Sequence, residues 1–297
     1  MPIGNEVNMA DRPGPVLVTG ANSGIGMATV LLLARRGWET WGTVRSRAKA
    51  SGLAAAAADA GVKDAVHPLV LDVSDDRAVT ARWPKLPPFY AVVNNAGYSE
   101  VGAVEEVAAD QARAQLDVNV IAPAVVSACA LPAMRERGSG RIVMVSSIAG
   151  RAAIMPLNGW YHASKFALEA LSDVLRMEVA GFGVRVSIVE PGFFKTGIGT
   201  SARERTDVRV AETSSPYAAA YRRVTTGLDL VERLAPAPDA VARVIVSAIE
   251  SSRPLRRYVV GADALTVAST QPLIPRAFTD AATRLLSGLG GSPGSFL

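Results

Sequence analysis

Apolar residues along this chain gather into short, nearly continuous runs separated by longer segments with helical spacing. Residues 15–19, 38–44, 66–71, 89–93, 141–145 and 184–189 are such runs, rich in Val, Ile and Leu. Unbroken apolar runs of this length read as strands buried on both faces, where a half-buried strand would alternate. Between them the spacing predicts helices over about 24–36, 49–60, 103–134 and 160–181, then a last helix over 238–250 and a strand over 257–260. The alanine run 54–58 belongs to the second helix by propensity. Strands alternating with helices predict a parallel sheet with right-handed crossovers and helices on both faces, a doubly wound α/β architecture. The alternation runs to about residue 190 with no linker. The stretch 192–232 has no clear strand, and so long a connection is usually functional, for example as a lid. The expected organisation is a domain over 15–287, with a substrate loop at about 193–230, between flexible ends at 1–14 and 288–297.

Composition narrows the classes. The chain has 297 residues, 49% hydrophobic and 20% charged, so burying a sizeable core is no difficulty. Its formal net charge of +4 is a mild excess, with arginines scattered along the chain. A nucleic-acid partner would need a basic stripe or a recognition motif, and none is expected. Cys129 is the only cysteine, so there is no internal disulfide, which fits a reducing cytoplasm. His67 and His162 lie far apart with no cysteine partner, and no metal site is expected. The start lacks a signal-peptide pattern, and no run approaches the ~18 apolar residues of a membrane span. The expectation is a soluble cytoplasmic protein.

Three local patterns carry chemistry. Residues 19–26 read Thr-Gly-Ala-Asn-Ser-Gly-Ile-Gly, placing Gly20, Gly24 and Gly26 between the first strand and the first helix. Glycines there let the backbone approach a pyrophosphate, and the helix start offers unpaired N–H groups. No GxxxxGK[ST] occurs, so a nucleoside-triphosphatase has no support. Secondly, Tyr161 and Lys165 are four residues apart, which stacks them on one helix face. A free tyrosine has a pKa of about 10. A cation at about 4 Å in an effective dielectric of about 20 stabilises a phenolate by roughly 4 kcal/mol, enough to bring the phenol near neutrality. Thirdly, Pro123 has no N–H, so in a helix the carbonyl of Asn119 loses its partner four residues on.

Taken together, TGxxxGxG, Asn94-Asn95-Ala96-Gly97, a serine after the fifth strand and YxxxK resemble the short-chain dehydrogenase/reductase family, over about residues 15–260 and in the family's order. The resemblance implies a Rossmann-like sheet of about seven parallel strands, a nicotinamide cofactor, and a homodimer or homotetramer. It makes Tyr161 the general acid/base and Lys165 the group that lowers its pKa and holds the nicotinamide ribose. Ser147 would bond the substrate carbonyl, with Ser146 as the structural competitor. Ser147 precedes Tyr161 by fourteen residues, one more than is usual in the family, and the extra residue is expected in the loop 151–159. Asn119 matches the fourth catalytic position, where the freed carbonyl would hold a water that relays protons to the lysine. For the cofactor the resemblance marks Gly20, Asn22, Ser23, Gly24, Ile25 and Gly26 in the turn, Asp72 and Val73 after the third strand, and Asn95, Ala96 and Gly97 after the fourth. It also marks Pro191, Gly192 and Thr196 near the nicotinamide carboxamide. Asp72 has a competing reading as a cap for a helix starting near Ser74.

Cofactor choice turns on the end of the second strand, which reads Thr43-Val44-Arg45-Ser46-Arg47 with no carboxylate. An acid there would bond the ribose of NAD, whereas Arg45 can pair with a 2′-phosphate, and Ser23 could add a hydroxyl. The expectation is NADP(H) ahead of NAD(H). Ile148, Met155, Leu157, Trp160, Phe193 and Phe194 suggest a hydrophobic carbonyl or alcohol substrate. The segments 161–169 and 189–192 look most like the steroid and retinoid branch. The expected activity is thus that of a ketoreductase or hydroxysteroid-type dehydrogenase. An NAD-dependent alcohol dehydrogenase of the same family, a catalytically silent cofactor-binding sensor, and a same-fold epimerase or dehydratase are the alternatives.

Overall fold

A computed structural model of the chain describes residues 12–196, 210, 214–271 and 273–289. The ends expected to be flexible, and most of the first half of the 193–230 loop, lie outside the described residues. Seven parallel strands form one sheet in the order β3-β2-β1-β4-β5-β6-β7. They are β1 (Val16–Val18), β2 (Thr40–Val44), β3 (Val66–Val70), β4 (Ala91–Asn94), β5 (Gly140–Val145), β6 (Val184–Pro191) and β7 (Arg257–Val260). Each predicted strand is present with ends shifted by three residues at most. The doubly wound reading holds, and the strand order reverses between β1 and β4, where open α/β sheets bind ligands beyond their carboxyl ends.

Helices α1 (Gly24–Arg35), α2 (Arg47–Asp59), α3 (Asp76–Arg82), α4 (Ala109–Leu116), α5 (Ala122–Arg137) and α6 (Gly159–Glu178) connect the first six strands. Helices α7 (Ala218–Leu234) and α8 (Asp239–Glu250) lie between β6 and β7, and α9 (Ala262–Thr270) and α10 (Arg276–Ser287) follow β7. Strand alternation sorts side chains into two layers. Val16, Val18, Val143 and Val145 pack with Val30, Leu33 and Ile245 on one face of the sheet. Leu17, Ile142 and Met144 pack with Val126, Met134 and Leu168 on the other. Both faces are therefore dry, which is why the strands read as unbroken apolar runs.

The long helix expected over 103–134 is broken. Residues 103–108 form turns, and Ala108 N donates to the Gln111 side chain (3.1 Å) where α4 begins. Between α4 and α5, residues Asp117–Ile121 form a π-turn in which Ala122 N donates to Asp117 O. The whole helical run Ala109–Arg137 spans 29 residues and is long and apolar enough to cross a membrane, against the expectation that no such run exists. Here it lies on the sheet, with Ala122, Val126, Ala130 and Met134 in the core. The region 192–232, read as strandless, contains most of α7.

Candidate active site

The β1–α1 turn is built by close backbone packing. Gly20 and Gly24 adopt left-handed conformations (φ 67° and 53°), which a side chain disfavours. A Cβ on Gly26 would lie 2.3 Å from Gly20 O, and one on Gly20 would lie 2.9 Å from Ala96 Cα. No side chain fits at these positions. Thr19 ties this turn to the end of β4, since its Oγ1 accepts from Asn95 N and Ala96 N (2.9 Å each) while Asn95 Nδ2 donates to Thr19 O (2.9 Å). Ser23, the N-cap of α1, makes no side-chain cap, and the first turn of α1 carries no acid. That leaves the N–H groups and the positive end of the helix dipole for an anion.

This turn opens into a cleft of about 490 Å³. Gly20, Asn22, Ser23, Gly24, Ile25, Arg45, Asp72, Val73, Asn95, Ala96, Gly97 and Thr196 all line it, as the sequence reading expected. Gly26 does not; it sits beneath the turn. Asp72 bonds Ser74 N (3.0 Å) and Ser74 Oγ (2.7 Å), and the cap of α3 is Asp75, which accepts from Ala78 N (2.9 Å). The capping role considered for Asp72 thus falls to Asp75. Sequence reasoning passes over Lys49, which joins Arg45 on the cleft wall; its signal was its place four residues on, in the first turn of α2. The bare helix start and the glycine cradle fit the pyrophosphate of a dinucleotide, and the two cations lie on the same wall.

A second cavity of about 160 Å³ adjoins the first, sharing Ile25, Asn95 and Thr196 as walls. Ser147, Tyr161, Lys165, Pro191 and Gly192 line it. Gly192 is locked in place: Phe193 N donates to Asp263 Oδ2 (2.7 Å), and a Cβ on Gly192 would lie 2.2 Å from that oxygen. Tyr161 and Lys165 share the buried face of α6, with Lys165 Nζ 5.7 Å from the phenol ring centre. Lys165 Nζ donates to Val145 O (3.0 Å). Burial lowers the lysine pKa to about 8, opposed by the negative charge of Glu169 one turn on. Burial also raises the Tyr161 phenol, opposed by a hydrogen bond with Ser147. In the protein alone, then, the phenol is not drawn toward neutrality as the spacing predicted. The ammonium is itself desolvated and spends a bond on Val145 O, so burial of the phenol prevails.

Of the two serines, Ser147 is the one that reaches Tyr161; its Oγ also accepts from Ala149 N (3.2 Å). Ser146 Oγ is buried and faces Glu169 without closing a full hydrogen bond. Asn119 lines neither cavity. Its side chain accepts from Tyr98 N (3.0 Å) and donates to Tyr98 O (2.9 Å) and Ser164 Oγ (3.0 Å). A Cβ on Gly97 would come 3.1 Å from Asn119 Oδ1 and 3.7 Å from Lys165 Nζ, so the glycine keeps space open between them.

Behind the lysine lies a buried ionic cluster that sequence reading did not find. Glu190, fully buried on β6, pairs with Arg151 (2.6 Å) and Arg257 (3.1 Å). Arg257 also pairs with Glu169 (3.2 Å) and Asp173 (2.6 Å) on α6. The apolar wall is Ile148, Ile154, Met155, Phe193, Phe194 and Ala235. Leu157 and Trp160, expected there, are elsewhere: Leu157 packs under α7 with Ala103, Ala220 and Tyr221, and Trp160 does not line the cavity. His162 is a further lining residue. Burial lowers its pKa, and its ring bridges Ala149 O at Nδ1 (2.9 Å) and Met155 N at Nε2 (3.2 Å), clipping the loop that carries the wall.

Comparison with known proteins agrees with this geometry. The model of the short chain dehydrogenase family matches residues 15–207. Human retinol dehydrogenase 5 is 30% identical, covering 90% of this chain and 86% of its own length. Human 17-beta-hydroxysteroid dehydrogenase type 1 is 32% identical over 82% of this chain and 76% of its own. A crystal structure of a short-chain dehydrogenase from Streptomyces avermitilis is 28% identical with a TM-score of 0.71, covering 95% of this chain and 100% of that one.

Proposed function

This chain belongs to the short-chain dehydrogenase family of oxidoreductases acting on alcohol and carbonyl groups, and from that premise we propose that it is an NADP(H)-dependent enzyme interconverting a hydrophobic ketone or aldehyde and its alcohol. The observation that carries the reading is the adjoining of the two cavities: the glycine cleft meets, through shared walls, an apolar cavity where Ser147, Tyr161 and Lys165 converge beyond β5. Gly20, Ser23 and Ile25 would hold the pyrophosphate side, Arg45 and Lys49 the 2′-phosphate, Lys165 the nicotinamide ribose, and Thr196 the carboxamide end. When bound, the cofactor supplies the hydride to the carbonyl carbon or takes it back from the alcohol. Ser147 bonds the carbonyl oxygen and orients it toward Tyr161. The buried phenol, held protonated, delivers its proton to that oxygen as the alcohol forms; in oxidation it receives the proton. Lys165, fixed by Val145 O, holds positive charge beside the phenolate left behind, and the Asn119 carbonyl offers a water a place from which to reprotonate the pair.

The relatives' names favour a steroid- or retinoid-like substrate, and the apolar wall supports the same class. The test is consumption of NADPH or NADH across steroid, retinoid and aliphatic carbonyls. Turnover with NADPH at a higher kcat/KM than with NADH, reversed by Arg45→Asp, is the expected result. A wild-type preference for NADH removes the cofactor assignment. Absence of turnover with either cofactor removes the reading.

A further inference from the structure

Asn158 stands at the N-cap of α6, where an asparagine ordinarily accepts a hydrogen bond from the first turn. Here its side chain makes no cap. Instead Oδ1 accepts from Ser99 Oγ at 2.7 Å, and the backbone carbonyl accepts from His162 N. The neighbouring chain is pinned as well: Leu157 holds a left-handed conformation (φ 61°), its carbonyl accepts from Gly102 N (2.7 Å), and Gly102 bridges Asn158. The amide is thus fixed in orientation by groups on both sides. The residue is 8% exposed and lines the apolar cavity. Nδ2 has no partner among the described residues, yet it is not sealed off in the interior. A nine-tenths buried amide that neither caps its helix nor spends its N–H groups is a costly feature unless something else accepts from it.

We propose that Asn158 Nδ2 donates to a second, non-reacting oxygen of the substrate, so that the enzyme selects carbonyl compounds bearing a further carbonyl, hydroxyl or ether oxygen over otherwise identical monoketones. The inference rests on the carbonyl–alcohol reading above and deepens it. Ser147 and Tyr161 take the reacting oxygen, and the nearby wall is apolar at Ile154, Met155 and Phe193. A site that sets an oriented donor beside apolar side chains discriminates strongly against a ligand that leaves the donor unpaired.

The experiment uses matched ketone pairs, each an alicyclic or aryl monoketone and the same skeleton with a second oxygen. For each pair the ratio of kcat/KM, oxygenated over plain, is measured in the wild type, Asn158→Leu and Asn158→Asp. Leucine removes both polar ends, whereas aspartate keeps the acceptor for Ser99 and replaces the donor. The expected result is a wild-type ratio well above one that falls roughly 10- to 100-fold in both variants. If the leucine variant does not fold, the aspartate variant decides by the same ratio. Equal losses on both ketones leave the ratio unmoved and overturn the proposal, as does no change on either. Wild-type enzyme that turns over neither member of any pair overturns the carbonyl–alcohol reading itself, and the two failures are thereby distinct.

Discussion

The residues proposed to do the chemistry are those whose burial is hardest to justify by stability. Lys165 is 3% exposed and its pKa is lowered to about 8 from a usual 10.5, burial being the cause. Below pH 8 both folded and unfolded chains carry the proton, and the folded one bears the full cost of a buried charge. Between about 8 and 10.5 the unfolded chain binds more protons, so stability rises with pH through that window. Relative to Lys165→Met, the wild type is expected to gain up to about 3 kcal/mol across it. Urea denaturation of the two proteins at pH 7, 9 and 10.5 checks this, and parallel stabilities at all three would contradict it. Tyr161 gives a complementary expectation. Its phenol is raised by burial, so removing the hydroxyl costs little folding energy and most of the rate. Tyr161→Phe should keep the wild-type melting point within a few degrees and lose about 10²- to 10⁴-fold in kcat. Near-normal turnover would reject the acid/base assignment. Both residues were legible from a four-residue spacing. The direction of the phenol's pKa was not, because spacing reports proximity of charge and says nothing of how far each group is desolvated.

At the scale of elements, the break between α4 and α5 carries the most meaning. The π-turn sends Ala122 N to Asp117 O, so Val118 O does not receive it. Pro123 offers no N–H to Asn119 O. The sequence showed one carbonyl deprived of its usual donor; in the structure Val118 O loses its usual donor as well. The difference arises because a π-turn adds its extra residue within a single turn, too short a stretch for periodicity to register. Pro123→Ala restores an N–H at the buried start of α5, and it is expected to bond the Asn119 carbonyl. The predicted outcome is a kcat lowered about tenfold with a melting point that does not fall, since the helix gains a bond. A variant with unchanged kcat would show that this carbonyl is idle. A second element-level feature is the anchoring of α7. Tyr221, fully buried, donates to Glu106 (2.5 Å) and accepts from Ala103 N (2.8 Å), and Tyr217 donates to Glu105. Leu157 packs against the same tyrosine. This is the reason Leu157 left the cavity wall: a helix invisible as part of an irregular stretch claims it. Tyr221→Phe leaves Glu106 and Ala103 N short of a partner and loosens the wall, so KM for a hydrophobic carbonyl should rise more than kcat falls. Steady-state kinetics on a single ketone separates the two.

The whole molecule was the most legible level, because strand burial on both faces and strand–helix alternation are properties of the pattern and need no side-chain detail. Its long-range ion pairs were not: Arg257 on the last strand reaches Glu169 and Asp173 on α6 and Glu190 on β6, partners 67 to 88 residues away that no spacing rule connects. That cluster joins the edge of the sheet to α6. Ligand binding to the folded state alone raises stability by RT ln(1 + [L]/Kd), about 2.7 kcal/mol at a hundredfold excess over Kd. For a chain of this size that corresponds to a melting-point shift of roughly 4–5 °C. The cleft presents Arg45 and Lys49 at the end of β2 and the start of α2, and no carboxylate among the residues from Thr43 to Lys49. A 2′-phosphate gains two cations there, whereas a bare ribose gains no acceptor for its hydroxyls. At equal concentration NADP⁺ should therefore raise the melting point of the wild type by several degrees more than NAD⁺. Arg45→Asp should reverse the order, because the new carboxylate repels the phosphate and bonds the ribose. The measurement needs no substrate and no turnover, so it tests the cleft apart from the chemistry. Equal shifts from the two dinucleotides in the wild type would show that the cations face solvent and leave cofactor choice to other residues.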